Sequence, residues 1–335
     1  MNSESPHSIS EENSRKIVNL SFFCMLLVCI VHVQWRETTE IERALVYLVK
    51  YVICGIGVPF FFAVSGFFLA RHMDEPGWWK AAIQKRMGTL LVPYCVWQLI
   101  NAFVWLAIEH RWTLRPGGFG LNPFIWPKLV PLWYLRTLMI FVVASPLLFW
   151  ALKRWGRGVL AALFVANLVV GAFSAIGMIP AQSRVGGLVY YTFSVLGLLY
   201  FLAGACLARH PITLSRRAGN ICGVVSLVVI AIQMTIFCLG VVIPFDFRVF
   251  LLPTLLAFLW TRTPTTRLPR VLAQAIFPIY LMHVIIYDAL ENLVFSPETF
   301  GGFAMLFSGV GFSIVLSALL HRFLPRLAHL VFGGR

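Results

Sequence analysis

Charged residues are scarce in this chain of 335 residues, making up 12% of it, whereas 59% is hydrophobic. A soluble domain is about one quarter charged, so this deficit argues against an ordinary soluble enzyme and indicates a membrane protein. The apolar residues come in helix-length blocks and not in the roughly ten-residue alternating segments of an outer-membrane barrel. We therefore expect an all-α, polytopic membrane helical bundle.

Other features that the chain lacks narrow its function. Its seven cysteines lie mostly inside apolar runs and show no Cys-x-x-Cys spacing, so neither a disulfide framework nor a metal site is expected. The net charge of +14 does not indicate nucleic acid, because the Lys and Arg residues lie in short loops between apolar runs, where they act as topology signals. No internal repeat is evident, which argues against an inverted-repeat transporter.

A membrane crossing takes about 20 apolar residues, and on this basis ten spans are predicted. They cover residues 17–33, 45–70, 88–108, 131–150, 159–177, 188–208, 218–240, 244–261, 271–291 and 303–323. The pair within 218–261 could be a tight hairpin or one broken element. Residues 1–14 are rich in Ser, Glu and Asn and are predicted to form a disordered cytoplasmic tail, while residues 15–335 form one transmembrane domain.

The loop charges predict how the bundle is oriented. With the N-terminus inside, every inner loop is basic, whereas the outer loops mix both signs. The positive-inside rule therefore places both termini in the cytoplasm. In this orientation His32 lies at the outer end of the first span and His283 in the outer half of the ninth. Two histidines at similar depth on different spans predict one shared site.

The two histidines are the first candidates for chemistry. Neutral imidazole is well suited to take a proton from a hydroxyl near pH 7, so His32 is a candidate general base. The alternative is an interfacial histidine that only bonds a neighbouring carbonyl. Helical spacing puts Tyr280 and Tyr287 near the same face as His283, and Asp288 and Glu291 follow toward the outer end.

Further candidates occur in the second span and before the third span, each with a purely structural alternative. Ser65 and Gly66 form a small-residue notch in an aromatic run, suited either to a ligand or to close helix packing. Lys85 and Arg86 precede the third span, in an inner loop (71–87) that resembles an interfacial segment. They could pair with the phosphates of a nucleotide-bearing donor, or serve only as topology or lipid-contact charges.

The fourth span opens with an aromatic pair followed by a cation. Trp133 and Tyr134 are explained by the aromatic belt at a membrane interface. Arg136 is placed deeper and could orient a hydroxylated or anionic acceptor.

Taken in order, these stretches resemble the acyltransferase-3 family of integral membrane O-acyltransferases. The matching segments are Phe23–His32, Phe61–Phe67 (FFAVSGF), Lys85-Arg86 with Pro93, Leu132–Leu135 (LWYL) and Ile279–His283 (IYLMH). Each segment is a weak signal alone, but all five occur in the family's order and cover nearly the whole chain. The pattern is that of a single-module member without an esterase-like domain.

The resemblance implies transfer of an acyl group, most often acetyl from acetyl-CoA, to a hydroxyl of an extracytoplasmic or lipid-linked glycan at the cell inner (plasma) membrane. No permanently bound cofactor is expected, and the partners are acyl-CoA, the glycan and membrane lipids. His32 would be the general base, or alternatively be acylated itself, with His283 as its catalytic partner. The expected substrate-binding residues are Arg136, Trp133 and Tyr280, and the expected donor-binding residues are Lys85, Arg86, Ser65 and Gly66.

One position departs from the family pattern. Many members carry an Arg eleven residues before the first-span histidine, where this chain has Ser21. Arg86 is then the remaining candidate for contacting the CoA donor. A transporter or flippase of a lipid-linked saccharide is the alternative function, since it accounts equally well for ten spans and sparse buried charge. It does not account for the five ordered segments.

Overall fold

The computed structural model describes residues 9–35, 37–109, 131–178, 189–190, 193–241, 248–293 and 302–334. Within these ranges the regular structure is helical and contains no strand, which confirms the predicted all-α bundle. The α-helices are α1 (Glu11–His32), α2 (Glu40–Val46), α3 (Gly57–Ala70), α4 (Trp78–Arg86), α5 (Val92–Glu109), α6 (Leu132–Trp155), α7 (Arg157–Ala175), α8 (Val195–Arg209), α9 (Arg216–Cys238), α10 (Arg248–Arg262), α11 (Arg270–Leu293), α12 (Gly302–Phe323) and α13 (Pro325–Phe332).

In the described part of the chain, eight helical stretches are long and apolar enough to cross a membrane. The sixth and eighth predicted spans correspond to the shorter apolar helices Val195–Arg209 and Val249–Arg262. Every predicted span therefore has a helical counterpart, while the number of membrane crossings stays a prediction. The third stretch, Trp78–Val104, begins inside the loop expected to be interfacial, because a π-helical turn at Met87–Leu91 joins α4 directly to α5.

The first helix begins earlier than expected, at Glu11, inside the segment predicted to be a disordered tail. The Ser10 side chain caps it by accepting the N–H of Asn13 at 3.2 Å, which satisfies one of the free donors at a helix start. Glu11 also complements the positive end of the helix and pairs with Arg15 one turn later. Residues 1–8 lie outside the described ranges.

The closest helix pair is α3 with α8, and glycine makes it possible. A Cβ added to Gly66 would lie 1.9 Å from the carbonyl oxygen of Phe201, and one added to Gly204 would lie 1.9 Å from that of Ala63. The two backbones therefore touch at both points, which only a residue without a side chain allows.

The uncertain stretch 218–261 resolves into two helices, α9 and α10, packed against each other. Gly219 lies against Thr261 and Gly223 against Phe258, while Ser226 bonds Thr254 at 2.9 Å. Along these contacts the residue numbers increase in α9 and decrease in α10. The two helices are therefore antiparallel, as in the hairpin alternative. The connection at residues 242–247 lies outside the described part.

The helix ends lie in two groups, which we name the basic end and the histidine end after their residues. The basic end is where α1 begins and α6 and α8 end. It is held by contacts such as Arg267 with Glu11 at 2.6 Å and Lys153 with Asp74 at 2.5 Å. The histidine end is where α1 stops at His32. These contacts bring together charged residues from several of the predicted inner loops, and the assignment of the basic end to the cytoplasm stays a prediction.

Candidate functional site

The histidines from the first and ninth predicted spans meet at the histidine end. Their ring centroids lie 5.2 Å apart with the planes tilted by 51°. His32 is the last residue of α1 and is half-buried, while His283 lies within α11 and is fully buried. The two rings are close enough for one small substrate group to contact both.

His283 is held in one orientation by its own helix. Its Nδ1 donates to the carbonyl oxygen of Ile279 at 2.9 Å, and a carbonyl can only accept. In a neutral ring the proton-free nitrogen is then Nε2. That nitrogen is buried and finds no hydrogen-bond partner among the residues that the structure describes. A buried polar atom left unpaired in a native fold calls for an explanation, and a bound substrate group would supply one.

The chain beyond His32 is anchored by two side chains. The indole of Trp35 donates to the carbonyl of Ile30 at 3.1 Å, and the Lys50 ammonium donates to the carbonyl of Val33 at 3.2 Å. Both bonds satisfy carbonyls at the end of α1, where a cation is electrostatically favourable. Lys50 was not among the predicted site residues, although a lysine inside an apolar span is a signal in its own right.

Tyr134 joins residues that the sequence assigned to different substrates. Its hydroxyl is hydrogen-bonded to that of Ser65 at 3.3 Å, and its ring packs edge-on against Tyr280 at 5.9 Å. Tyr280 in turn donates its hydroxyl to the carbonyl of Pro131, at the start of α6. The ring of Trp133 is tilted against that of Phe62, with ring centroids 6.3 Å apart. Tyr134, whose position the sequence attributed to the aromatic belt, thus connects Ser65 with Tyr280.

Arg136 is buried on α6, where it interacts electrostatically with Tyr94 of α5. Gln98 donates to the Tyr94 hydroxyl at 3.2 Å, and the buried Asn101 follows on the same helix. Its Nδ2 has no partner within the described ranges. Sequence reasoning did not select these three α5 residues, although their i, i+4, i+7 spacing marks a polar stripe on an otherwise apolar helix.

The residues predicted to bind the donor are placed differently from one another. Lys85 is exposed on α4, whereas Arg86 is half-buried and interacts electrostatically with Tyr134. Ser65 contacts that same tyrosine. Gly66 lies against the backbone of Phe201, so of the two roles open to it the structure shows helix packing.

The remaining predicted features do not complete the site. Ser21 lies eleven residues before His32 and donates its hydroxyl to the carbonyl of Ile17 at 2.7 Å, so it is bonded within α1. Glu291 accepts from Gln34 at 3.5 Å, at the histidine end. Across the described residues, no three His, Cys, Asp or Glu side chains are grouped so as to hold a metal ion.

Comparison with known proteins gives two matches. The model of a family described as "acyltransferase domain" (Acyl_transf_3) matches residues 19–322, a range that contains both histidines and every other predicted site residue. The succinoglycan biosynthesis protein ExoH of Rhizobium meliloti (strain 1021) is 30% identical over 122 residues, which span 32% of this chain and 33% of that protein. The match thus covers about a third of the relative's length. No solved structure matches.

Proposed function

Because the chain belongs to the acyltransferase-3 family and is a multi-pass membrane acyltransferase, we propose that it transfers an acetyl group from acetyl-CoA to a glycan hydroxyl. The glycan would be extracytoplasmic or lipid-linked, and the membrane the cell inner (plasma) membrane. Similarity to a succinoglycan biosynthesis protein supports the choice of acceptor. The observation that carries the mechanism is the meeting of His32 and His283, with ring centroids 5.2 Å apart.

In the proposed reaction His32 takes the proton of the acceptor hydroxyl while the hydroxyl oxygen attacks the thioester carbonyl. The carbon–sulfur bond then breaks, the acyl group remains on the acceptor oxygen, and the CoA sulfur leaves as a thiolate that takes the proton from His32. The position of His32 suits this role, because a half-buried ring at a helix end can be reached by a hydroxyl from outside the bundle.

His283 and Lys50 act on either side of the proposed base. The Nε2 of His283, which has no partner among the described residues, would accept a hydrogen bond from a neighbouring hydroxyl of the acceptor and so hold the reacting hydroxyl beside His32. The ammonium of Lys50 bonds the carbonyl of Val33, directly after His32. It would fix the end of α1 and favour negative charge developing on the attacking oxygen.

The acceptor and the donor would approach from opposite ends. Arg136, with Trp133 and Tyr280, would bind the acceptor through buried polar and aromatic groups. Arg86, which lies within the third membrane stretch and next to Tyr134, would pair with the donor phosphates together with the exposed Lys85. The contact between Ser65 and Tyr134 would line the path of the donor's pantetheine arm. Gly66 would serve it indirectly, by keeping α8 against α3.

The test uses the purified full chain in liposomes, supplied with labelled acetyl-CoA and candidate glycans. We expect His32→Ala to transfer label at least about 100-fold more slowly than wild type, the scale of general-base catalysis. His72→Ala is the matched control, because His72 is exposed at the basic end and bonds only Glu75 among the described residues. Full transfer by His32→Ala would exclude the assigned role.

A binding measurement separates the proposal from a saccharide transporter. Free CoA should raise the midpoint of thermal unfolding of the detergent-solubilised protein, because a ligand that binds only the folded state stabilises it. Arg86→Gln should reduce that rise, while Arg217→Gln, an exposed cation on α9, should leave it unchanged. A protein that shows no response to CoA at any concentration would not be an acyl-CoA-dependent transferase.

A further inference from the structure

A cavity of about 500 Å³ lies at the basic end, where three helices come together. Its lining comes from the end of α6, the start of α7 and the end of α8. Four of the lining residues can carry positive charge, namely Lys153, Arg157, Arg209 and His210. The cavity is at the opposite end of α1 from His32, and neither Lys85 nor Arg86 lines it. It is therefore separate from the site described above.

The cations in this cavity are only partly neutralised. Asp74 accepts a hydrogen bond from Lys153 at 2.5 Å and lies 3.8 Å from Arg209, so one carboxylate faces two positive charges. Arg157 forms no ion pair with any residue in the described ranges. It is also the first residue of α7, where the positive end of the helix dipole disfavours a cation. The cavity thus holds an excess of positive charge that a bound anion would relieve.

Exposed apolar side chains lie on the same helix ends as the cavity. Trp150 and Trp155 lie near the end of α6, with 54% and 57% of their surfaces exposed and their ring centroids 5.3 Å apart. Leu207 is exposed on α8, and the apolar helix α7 buries little of its length. Exposed tryptophans beside cations at the end of a membrane helix are typical of the level where lipid headgroups lie.

We propose that this cavity binds the phosphate of an anionic phospholipid headgroup, with Arg157, Arg209 and Lys153 as its ligands. Charge and position support a lipid. The cations match phosphate oxygens, and the exposed tryptophans and leucine on the same helix ends offer apolar surface that acyl chains could cover. The phosphates of CoA share the same chemistry but come from the aqueous side, so the experiment compares the two sources directly.

The experiment titrates the full chain, in a zwitterionic detergent, with dioleoylphosphatidylglycerol, dioleoylphosphatidylcholine or CoA. The midpoint of thermal unfolding reports binding. Phosphatidylglycerol should raise the midpoint of wild type and phosphatidylcholine should not. Each cation removed should weaken apparent phosphatidylglycerol affinity about fivefold, so Arg157→Gln should lose about fivefold and Arg157→Gln/Arg209→Gln about 25-fold.

The matched control is Arg154→Gln, which removes an exposed cation next to Lys153 that does not line the cavity. Its affinity should stay within about twofold of wild type.

Equal loss in Arg154→Gln and Arg157→Gln would show general surface attraction and overturn the proposal. A midpoint raised by CoA but not by phosphatidylglycerol, and lost in Arg157→Gln, would assign the cavity to a soluble organic phosphate instead. Arg157→Gln removes no ion pair among the described residues, so it is the variant expected to fold normally. None of these readouts depends on acyl transfer.

Discussion

The polar side chains of the histidine site are buried or half-buried, whereas those that line the cavity at the basic end are exposed. His283 is fully buried, with its Nε2 unpaired among the described residues, and Arg136 is 6% exposed. At the basic end the Asp74 carboxylate is 61% exposed and pairs with two cations, Lys153 and Arg209. Buried polar groups in a membrane bundle cost stability and are kept for function, while exposed charges cost little and set topology. The comparison predicts that substitutions at the histidine site will change acyl transfer or stability more than substitutions at the basic end will.

The largest effect should come from His283→Leu. This change removes a buried nitrogen that has no partner among the described residues, which favours stability, but it also removes the Nδ1 bond to the Ile279 carbonyl, which opposes it. The midpoint of thermal unfolding should therefore change little. Acyl transfer should fall about 100-fold or more, because the acceptor loses the hydrogen bond that holds its reacting hydroxyl beside His32. A variant that keeps its stability while losing activity is typical of a functional site.

The control for this prediction is His321→Leu, at the basic end. His321 bonds Ser317 and stacks on Phe332, so its loss should lower stability by about 1 kcal/mol and leave the transfer rate unchanged. Steady-state transfer and thermal unfolding measured on both variants give four values to compare. Unchanged transfer by His283→Leu would make that histidine a packing residue and remove the contrast between the two ends.

The close contact between α3 and α8 should be the next most sensitive to substitution. Gly66→Ala places a Cβ 1.9 Å from the Phe201 carbonyl oxygen, so α3 and α8 must move apart. Overpacking of this kind costs about 1–3 kcal/mol, which thermal or chemical unfolding in detergent will show. Gly158→Ala on α7 is the control, because a Cβ there meets nothing within 4 Å. Equal stability of the two variants would mean that the α3–α8 contact is looser than described.

A smaller effect is expected at the rim of the histidine site. Lys50→Met removes the hydrogen bond to the Val33 carbonyl and frees the end of α1. A hydrogen bond from a charged group contributes about 1.5 kcal/mol, so kcat should fall about tenfold if the bond matters in the transition state. Lys50→Arg should recover most of the rate. If Lys50→Met changes KM alone, Lys50 contacts the acceptor and does not position His32.

Most of the fold could be predicted from the sequence, because membrane spans depend on length and hydropathy alone. The predicted span 271–291 became α11, Arg270–Leu293. The meeting of His32 and His283 was also predictable, since depth in the membrane follows from topology. The i, i+4, i+7 stripe that ends at Asn101 was visible in the sequence as well, but it was overlooked.

Other contacts depend on how helices are arranged around one another, which hydropathy does not encode. The notch at Gly66 was visible in the sequence, but its partner Phe201 lies more than 130 residues away. Lys50 lies in a π-helical stretch, Tyr47–Ile53, that hydropathy does not predict, and it is from there that the side chain bonds the Val33 carbonyl. The role of Tyr134 stayed hidden because an aromatic belt residue and a site residue have the same sequence signature.

The smallest effect should come from the basic end, where Asp74→Asn removes the carboxylate shared by Lys153 and Arg209. All three side chains are more than a third exposed, so the loss should be about 0–1 kcal/mol in the free energy of unfolding. The same change leaves the cavity cations uncompensated, so affinity for phosphatidylglycerol should rise about fivefold.

Glu75→Gln is the control: this neighbouring carboxylate pairs with His72 and not with a cavity cation, and its removal should alter neither quantity. A loss above about 2 kcal/mol in Asp74→Asn would show that ion pairs at the basic end stabilise the bundle as strongly as core packing does, contrary to their exposure.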